Sequence, residues 1–159
     1  MDAELARLAR RVIDTTKYMA LGTADEAGQP WVSPVWFACE DSRHFHWVSS
    51  PEARHSQNLV SRPEVAVAIY DPSVELGAAA AVYVSGTAEE LAGDELEHGI
   101  EIFDRLSRKG DGPAWQLSDI QPPSPYRLYR ATASEHFVLI KGRDPERGTG
   151  VDRRERVEL

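Results

Sequence analysis

The sequence has one cysteine, Cys39, among 159 residues. A single thiol excludes an intrachain disulfide and any metal site built from several cysteines. Positive charge is also scarce: 18 lysines and arginines face 26 aspartates and glutamates, which gives a net charge of −8. Proteins that wrap nucleic acid or lie on an anionic membrane need the opposite balance. We therefore expect neither a nucleic-acid partner nor a membrane partner.

Long hydrophobic runs are missing as well. The longest apolar run extends from Ala78 to Val84, far short of the roughly 20 residues that a membrane-spanning helix needs. The first residues, Met1 to Glu4, lack the basic-then-apolar order of a signal peptide. No G-x-G-x-x-G motif and no P-loop are present. We expect a soluble, cytoplasmic protein that does not bind nucleotides through those loops.

The composition that remains is that of a folded domain. Hydrophobic residues make up 42% and charged residues 28% of the chain, which is enough apolar material for one core. We expect a single domain over residues 1–141. From Gly142 onward large apolar side chains become rare and charges dominate, so residues 142–159 are predicted to be a solvated, partly mobile tail.

Short β-type segments separated by turn residues fill most of the domain. The segment 64–71 alternates clearly, with Val65, Val67 and Ile69 on one face. An amphipathic helix is predicted over residues 2–16, with Asp2 as its N-cap, and another from Asp94 with a capping-box-like pair. Tyr126–Ala133 and His136–Lys141 are interpreted as a final hairpin. The fold class is therefore mainly β with flanking helices (α+β), built on an antiparallel sheet.

The most informative segment is FHWVSSPEARHSQNL, residues 45–59. A strand ends in Ser49 and Ser50, and Pro51 then indicates a helix start with Ser50 as N-cap. The first turn of a helix exposes unpaired N–H groups, and Arg54 and His55 follow directly. These groups are the parts of a phosphate site. An ordinary capped helix with a solvated Arg54 explains the same pattern equally well.

Three tryptophans, Trp31, Trp36 and Trp47, lie on two consecutive predicted strands. Their flat faces suit a planar aromatic ligand, although packing in a core or a dimer interface is the simpler explanation. Pro34 interrupts the first of these strands. Because proline cannot donate to a β-ladder, that strand is predicted to be an edge strand or bulged.

Three segments together resemble the pyridoxamine 5′-phosphate oxidase-like family of FMN-binding split β-barrels. They are YMALGTADEAGQPWVSPVWF, FHWVSSPEARHSQNLVSRPEVAVAIYD and VYVSGTAEEL, and the resemblance covers residues 12–141. It implies an antiparallel split barrel that binds FMN at a homodimer interface. The implied cofactor-binding residues are Ser33, Pro34, Val35 and Trp36 along the flavin ring, Val48 and Ser49 on the next strand, Ser50, Arg54 and His55 at the phosphate, and Asn58 nearby.

The same resemblance shows departures from the vitamin B6 enzymes of the family. Ser33 and Ala38 stand where those enzymes have cationic residues, and His55 replaces a frequent lysine. We therefore expect an FMN-dependent oxidoreductase of another small-molecule substrate, with no residue assigned as catalytic and no metal. A reductase using 8-hydroxy-5-deazaflavin, a flavin- or haem-binding protein without turnover, and a ligand-free dimeric module remain open alternatives.

Overall fold

The computed structural model describes residues 3–159. Within that range the chain forms three α-helices, one short 3-10 helix (Leu117–Asp119) and one eight-stranded antiparallel sheet. The helices are α1 (Ala3–Thr15), α2 (Arg54–Ser61) and α3 (Gly93–Lys109), and the strands are β1 (Tyr18–Ala24), β2 (Pro30–Trp36), β3 (Ala38–Glu40), β4 (His44–Ser49), β5 (Glu64–Tyr70), β6 (Ala81–Glu90), β7 (Arg127–Ile140) and β8 (Arg153–Val157).

The strands follow the order β2-β1-β5-β6-β7-β4-β3, and β8 pairs with β7 beside this path. The strands at the two ends of this order, β2 and β3, are consecutive in the chain, and only Phe37 separates them. The chain changes at this residue from pairing with β1 to pairing with β4. The sheet therefore curls into a barrel that is closed at Phe37 and split where β2 and β4 diverge, which confirms the predicted split-barrel class.

The hydrophobic pattern explains which faces are buried. Val65, Val67 and Ile69 of β5 are at most 7% exposed, as their alternation predicts. They join a core inside the barrel that includes Phe45 and Trp47. A second core lies between the sheet and α3, and its centre is formed by Ile100, Phe103, Ile120 and Leu128. The predicted first helix is confirmed over α1, while the proposed N-cap Asp2 lies outside the described residues.

Three local predictions are wrong. The expected last hairpin is instead the single strand β7, which is long enough to pair with β4, β6 and β8 in turn. The helix α3 begins after Ala92 without a side-chain cap, so no capping box forms at Asp94. The predicted mobile tail contains β8, because Val157 is buried against the core and backbone pairing with β7 fixes its charged neighbours.

None of the helices within residues 3–159 is both long and apolar enough to cross a lipid bilayer.

Candidate functional site

The split of the barrel is bridged by one histidine. His55, at the start of α2, places its Nε2 atom 2.7 Å from Ser49 Oγ and its Nδ1 atom 3.0 Å from Ser33 Oγ. Ser49 ends β4 and Ser33 lies in β2, so the two hydroxyls belong to the two diverging strands. The imidazole thus holds these strands at a fixed separation and orients both hydroxyls toward the same point.

A cation and an aromatic ring flank this bridge. Trp31 donates its indole N–H to Ser33 Oγ at 3.1 Å. The Arg54 guanidinium lies 4.5 Å above the Trp31 ring, in a cation–π contact. Asp25, in the turn between β1 and β2, approaches Arg54 to 4.0 Å. This is a loose ion pair on the surface, so Arg54 keeps donors for another anion.

The helix α2 begins later than the sequence predicts. Ser50 is not its N-cap: the Ser50 hydroxyl accepts the N–H of Glu52 at 3.2 Å, and Pro51 lies in the turn that follows. This serine-type turn competes with helix formation and delays it. Ala53 is the N-cap and offers no side-chain acceptor. The first-turn N–H groups of α2 consequently have neither an intrahelical acceptor nor a capping side chain.

The two basic side chains at the site, His55 and Arg54, differ in charge at neutral pH. Burial lowers the pKa of His55, so its imidazole is mainly neutral at neutral pH. Arg54 is half-exposed, and its guanidinium is a fixed cation. Two hydroxyls, an uncapped helix start and one fixed cation therefore meet at the split. This set of groups suits a phosphate or another oxyanion.

The remaining predicted site residues do not send their side chains to this point. Val35 is buried in the barrel core, whereas Trp36 and Val48 pack on the second core beneath α3. Pro34 is exposed on β2. This strand pairs with β1 alone, which confirms that it is an edge strand. Asn58 donates from Nδ2 to Thr23 Oγ1 at 2.9 Å and thereby ties α2 to β1. Ser33, Ser49, Arg54 and His55 are the predicted residues that converge.

The tryptophans have three separate roles. Trp47 is fully buried and stacks on Tyr129 with ring centroids 5.7 Å apart. Trp36 meets the edge of Phe103 at 4.9 Å, and Trp115 contacts the same phenyl ring. Trp31 is the exception, because 40% of it is exposed beside Arg54. The sequence signal for the contact between Trp31 and Arg54 was the position of Trp31, two residues before Ser33.

Other reactive side chains lie outside the split. Burial raises the pKa of the Cys39 thiol, which makes it a poor nucleophile. His46 is 1% exposed beneath α3, and burial lowers its pKa to about 4. His136 bonds through Nε2 to the backbone oxygen of Ser42 at 2.7 Å. No group of three His, Cys, Asp or Glu side chains within residues 3–159 is arranged to hold a metal ion.

Next to Trp31 the outer face of the sheet forms a shallow apolar groove. The part of the groove beside Trp31 has a volume of about 610 Å³. A second hollow of about 490 Å³ extends the groove across β5 and β6. Both share Gly22, Val32 and Ala66. The first extends to Trp31, and the second ends at Tyr83 and Arg154, whose guanidinium lies 4.1 Å from the Tyr83 ring. A flat apolar molecule with an anionic end matches the groove together with the split.

Comparison with solved structures places the chain among split barrels that bind different cofactors. A haem-binding protein of Mycobacterium smegmatis is 23% identical, with a TM-score of 0.69 over 93% of this chain and 56% of its own. The haem storage protein HutZ of Vibrio cholerae is 22% identical, with a TM-score of 0.66 over 84% of this chain and 94% of its own. A FAD-binding protein of Mesorhizobium loti is 24% identical, with a TM-score of 0.60 over 82% of this chain and 91% of its own.

At these identities the likeness concerns the fold. No curated protein matches the sequence. The family model described as pyridoxamine 5′-phosphate oxidase, however, matches residues 5–139, which include the barrel, the split and α3. The chain therefore belongs to the pyridoxamine 5′-phosphate oxidase-like family of split β-barrels.

Proposed function

We propose that the protein binds FMN, with the phosphate in the split of the barrel. The observation that carries this proposal is the convergence of Ser33, Ser49 and Arg54 around the uncapped start of α2. The neutral His55 ring accepts the proton of one of these hydroxyls, so the other hydroxyl and the free N–H groups supply directional donors, and Arg54 supplies a fixed charge. When His55 is protonated, both of its ring nitrogens donate to Ser33 and Ser49, which leaves both hydroxyl protons free for the phosphate.

The isoalloxazine ring is assigned to the groove beside Trp31. Trp31 lines that groove and also supports Arg54, so the anion cradle and the apolar surface share one residue. The exposed side of β2, including Pro34 and Val32, lies next to the ring in this arrangement. Backbone groups and small side chains there leave room for a planar heterocycle.

The proposed activity is that of an oxidoreductase acting on a small molecule. FMN supplies the electron-transfer chemistry when it is bound. The task of this chain is to anchor the phosphate, hold the ring against an apolar surface and exclude water from one of its faces. No side chain at the split is assigned to acid–base catalysis, since His55 is bonded on both ring nitrogens.

We further propose a homodimer in which a second copy covers the groove. The outward faces of β1, β2, β5 and β6 carry small or apolar residues, and Val32 is 63% exposed. A groove open on one side cannot bury a flavin ring, whereas the same surface on a second copy closes it. Sedimentation of the FMN-loaded protein at micromolar concentration tests this: a monomer with flavin still bound contradicts it.

Haem is the second candidate, because two similar structures are those of a haem-binding and a haem storage protein. The described residues that line the groove include no histidine, cysteine or methionine, which are frequent axial ligands. This favours a flavin over haem within one protomer. An 8-hydroxy-5-deazaflavin has a polyanionic tail that the net charge of −8 repels. The absorption spectrum of the purified protein distinguishes the three cofactors.

The phosphate assignment is tested by titrating FMN and riboflavin against Arg54→Ala. Because riboflavin has no phosphate, the variant should lose FMN affinity by about tenfold to a hundredfold, the range for a hydrogen bond to a charged group, and lose little riboflavin affinity. Arg108→Ala is the matched control, since Arg108 lies near the end of α3 and pairs there with Asp104. Equal losses for both ligands, or none, place the phosphate elsewhere.

A further inference from the structure

The second hollow of the groove owes its shape to the side chains on the outer face of the sheet. Its floor consists of two cross-strand pairs of small residues, Ala20 with Ala68 and Gly22 with Ala66. Tyr83 lies beside Ala68 on β6 and pairs with Phe137 of β7, so two large rings form a wall next to this floor. The step from small to large residues leaves a recess of about 490 Å³, which suits a small aromatic molecule.

One cation lies at the edge of this hollow. Arg154 is the one charged residue that lines it within residues 3–159. The residue lies on β8, opposite Leu139 of β7, and its guanidinium carbon is 4.1 Å from the centre of the Tyr83 ring. This cation–π contact holds the guanidinium beside the apolar recess. The hollow therefore obtains its charge from β8.

Arg154 differs from its neighbours on β8, because no carboxylate among the described residues pairs with it. Arg153 pairs with Glu155 at 3.1 Å. Arg156, two residues along the strand and on the same face as Arg154, pairs with Glu135 at 3.4 Å. The Tyr83 ring offers no carboxylate or carbonyl oxygen to the N–H donors of a guanidinium. Arg154 therefore keeps donors for an anionic ligand.

A single cation beside an apolar recess selects the class of ligand. One guanidinium matches one carboxylate, whose oxygens accept parallel N–H bonds from it. A phosphate dianion needs more donors, such as those that converge at the split. We propose that the second hollow binds a small aromatic carboxylate, whose ring lies on the floor beside Tyr83 and whose carboxylate contacts Arg154.

This inference rests on the proposed function, because the second hollow continues the part of the groove that is assigned to the isoalloxazine ring. An aromatic carboxylate in the hollow lies next to the flavin, which makes aromatic carboxylates the substrate class of the proposed oxidoreductase. The two ends of the groove then hold different anions, the FMN phosphate at Arg54 and the substrate carboxylate at Arg154. Their binding can be measured separately.

The probes are 2-naphthoate and 2-naphthamide, because they have nearly the same shape and differ in charge. Each is titrated by calorimetry against the FMN-loaded and the FMN-free protein. Naphthoate should bind about tenfold more tightly than naphthamide, the low end for a hydrogen bond to a charged group, and should shift the absorption band of bound FMN. Equal affinities, or no naphthoate binding at millimolar concentration, overturn the proposal. An unshifted flavin band overturns the substrate assignment.

Two arginines of β8 provide matched variants. Arg154→Gln should weaken naphthoate binding about tenfold and leave naphthamide binding unchanged. Arg156→Gln, whose arginine is already ion-paired, should leave both unchanged. Equal losses of naphthoate affinity in the two variants mean that the ligand responds to net charge alone and contradict the proposal. Arg154→Gln should also sediment like the wild type; a shift toward monomers would assign Arg154 to the contact with a second copy and overturn the proposal.

The FMN-free protein separates a failure of this inference from a failure of the flavin proposal. If FMN does not bind, the proposed function and the substrate assignment fail, while naphthoate binding that depends on Arg154 still supports a carboxylate site in the hollow. If FMN binds and naphthoate binds only to the FMN-free protein, the flavin ring itself fills the second hollow. In that case the flavin proposal stands and this inference is overturned.

Discussion

His55 Nε2 lies 2.7 Å from Ser49 Oγ, and this contact crosses the split of the barrel. The same ring bonds Ser33 on the other strand, so one imidazole fixes the width of the opening. A lysine at this position would bring a permanent charge but could not bridge two hydroxyls with a rigid ring. The histidine therefore lacks the permanent charge of a lysine, but its rigid ring bonds both hydroxyls.

The first prediction is a pH dependence of FMN binding. Burial lowers the pKa of His55 in the free protein, and a bound phosphate favours the protonated ring. FMN affinity should therefore fall as pH rises through the pKa of the complex, by about threefold between pH 6 and 8. His55→Lys should lack this fall and show only the effect of the second ionisation of the FMN phosphate, whose pKa is about 6. Fluorescence titrations at several pH values measure both; an equal slope in wild type and His55→Lys would attribute the effect to another group.

The second prediction concerns the neighbour of Arg54. Asp25 lies 4.0 Å from the guanidinium and competes with a phosphate for it. Asp25→Asn removes the negative charge and keeps the oxygen that accepts the N–H of Gln29 in the turn. FMN should bind about twofold to fivefold more tightly, the range for an exposed ion pair, while riboflavin binding stays the same. Weaker FMN binding in this variant would mean that Asp25 positions Arg54 instead of competing for it.

The third prediction is that the protein does not oxidise pyridoxamine 5′-phosphate at a typical enzymatic rate, on the order of 1 per second. Ala38 is buried and Ser33 is bonded to His55, so neither offers a cation to a phosphorylated substrate. Oxygen consumption by the FMN-loaded protein measures the rate. Turnover at the typical rate would show that other residues replace the missing cations.

The fourth prediction links His46 to stability. Its pKa is lowered from 6.5 to about 4 by burial beneath α3, so the folded state favours the neutral ring. The stability this provides is complete above pH 6.5 and is lost as pH falls toward 4, by at most about 3 kcal/mol. The depressed pKa values of His44, His55 and His136 act in the same direction.

Urea unfolding at pH 7 and pH 5 tests this prediction. His46→Leu should reduce the difference in unfolding free energy between the two pH values. His98→Gln, on the exposed face of α3, should retain the wild-type difference. An unchanged difference in His46→Leu would assign the effect to the other buried histidines.

The fifth prediction concerns Gly86 of β6, which lies opposite a bulge at Ser134 of β7. The register between β6 and β7 shifts at Ser85 and Gly86, and a Cβ at Gly86 would lie 2.2 Å from the Thr132 carbonyl oxygen. Gly86→Ala should therefore lower the unfolding free energy by about 1–3 kcal/mol, as overpacking does. Ser85→Ala is the neighbouring control. A fully stable Gly86→Ala protein would mean that β7 moves away at little cost.

Hydrophobic alternation was sufficient to predict most of the sheet. Val65, Val67 and Ile69 are buried as expected because a strand has only two faces. Turn chemistry was less reliable: Ser50 and Pro51 are typical of a helix start, but the Ser50 hydroxyl binds a turn N–H and delays α2 until Arg54. The β8 strand was missed because its burial depends on Val157 alone among charged residues.

The candidate site was predictable in its members but not in its connections. Ser33 and Ser49 lie 16 residues apart, and their common partner His55 becomes evident only when β2 and β4 lie on opposite sides of the split. The role of Asp25 depends on where a turn of the barrel lies in space. Pairings of this kind are set by tertiary packing, and one sequence contains no direct signal for them.

The segment from Pro30 to Glu40 is continuous, so the barrel is closed at Phe37 and open along the split between β2 and β4. Phe37 joins β2, which pairs with β1, to β3, which pairs with β4. The two edges of the split therefore cannot slide past each other along their length. The end of β2 at Pro30 and Trp31 lies farthest from Phe37, and the His55 bridge between Ser33 and Ser49 holds β2 at its distance from β4. A bulkier ligand in the split would therefore have to break the His55 bridge before the end of β2 that carries Trp31 could be displaced.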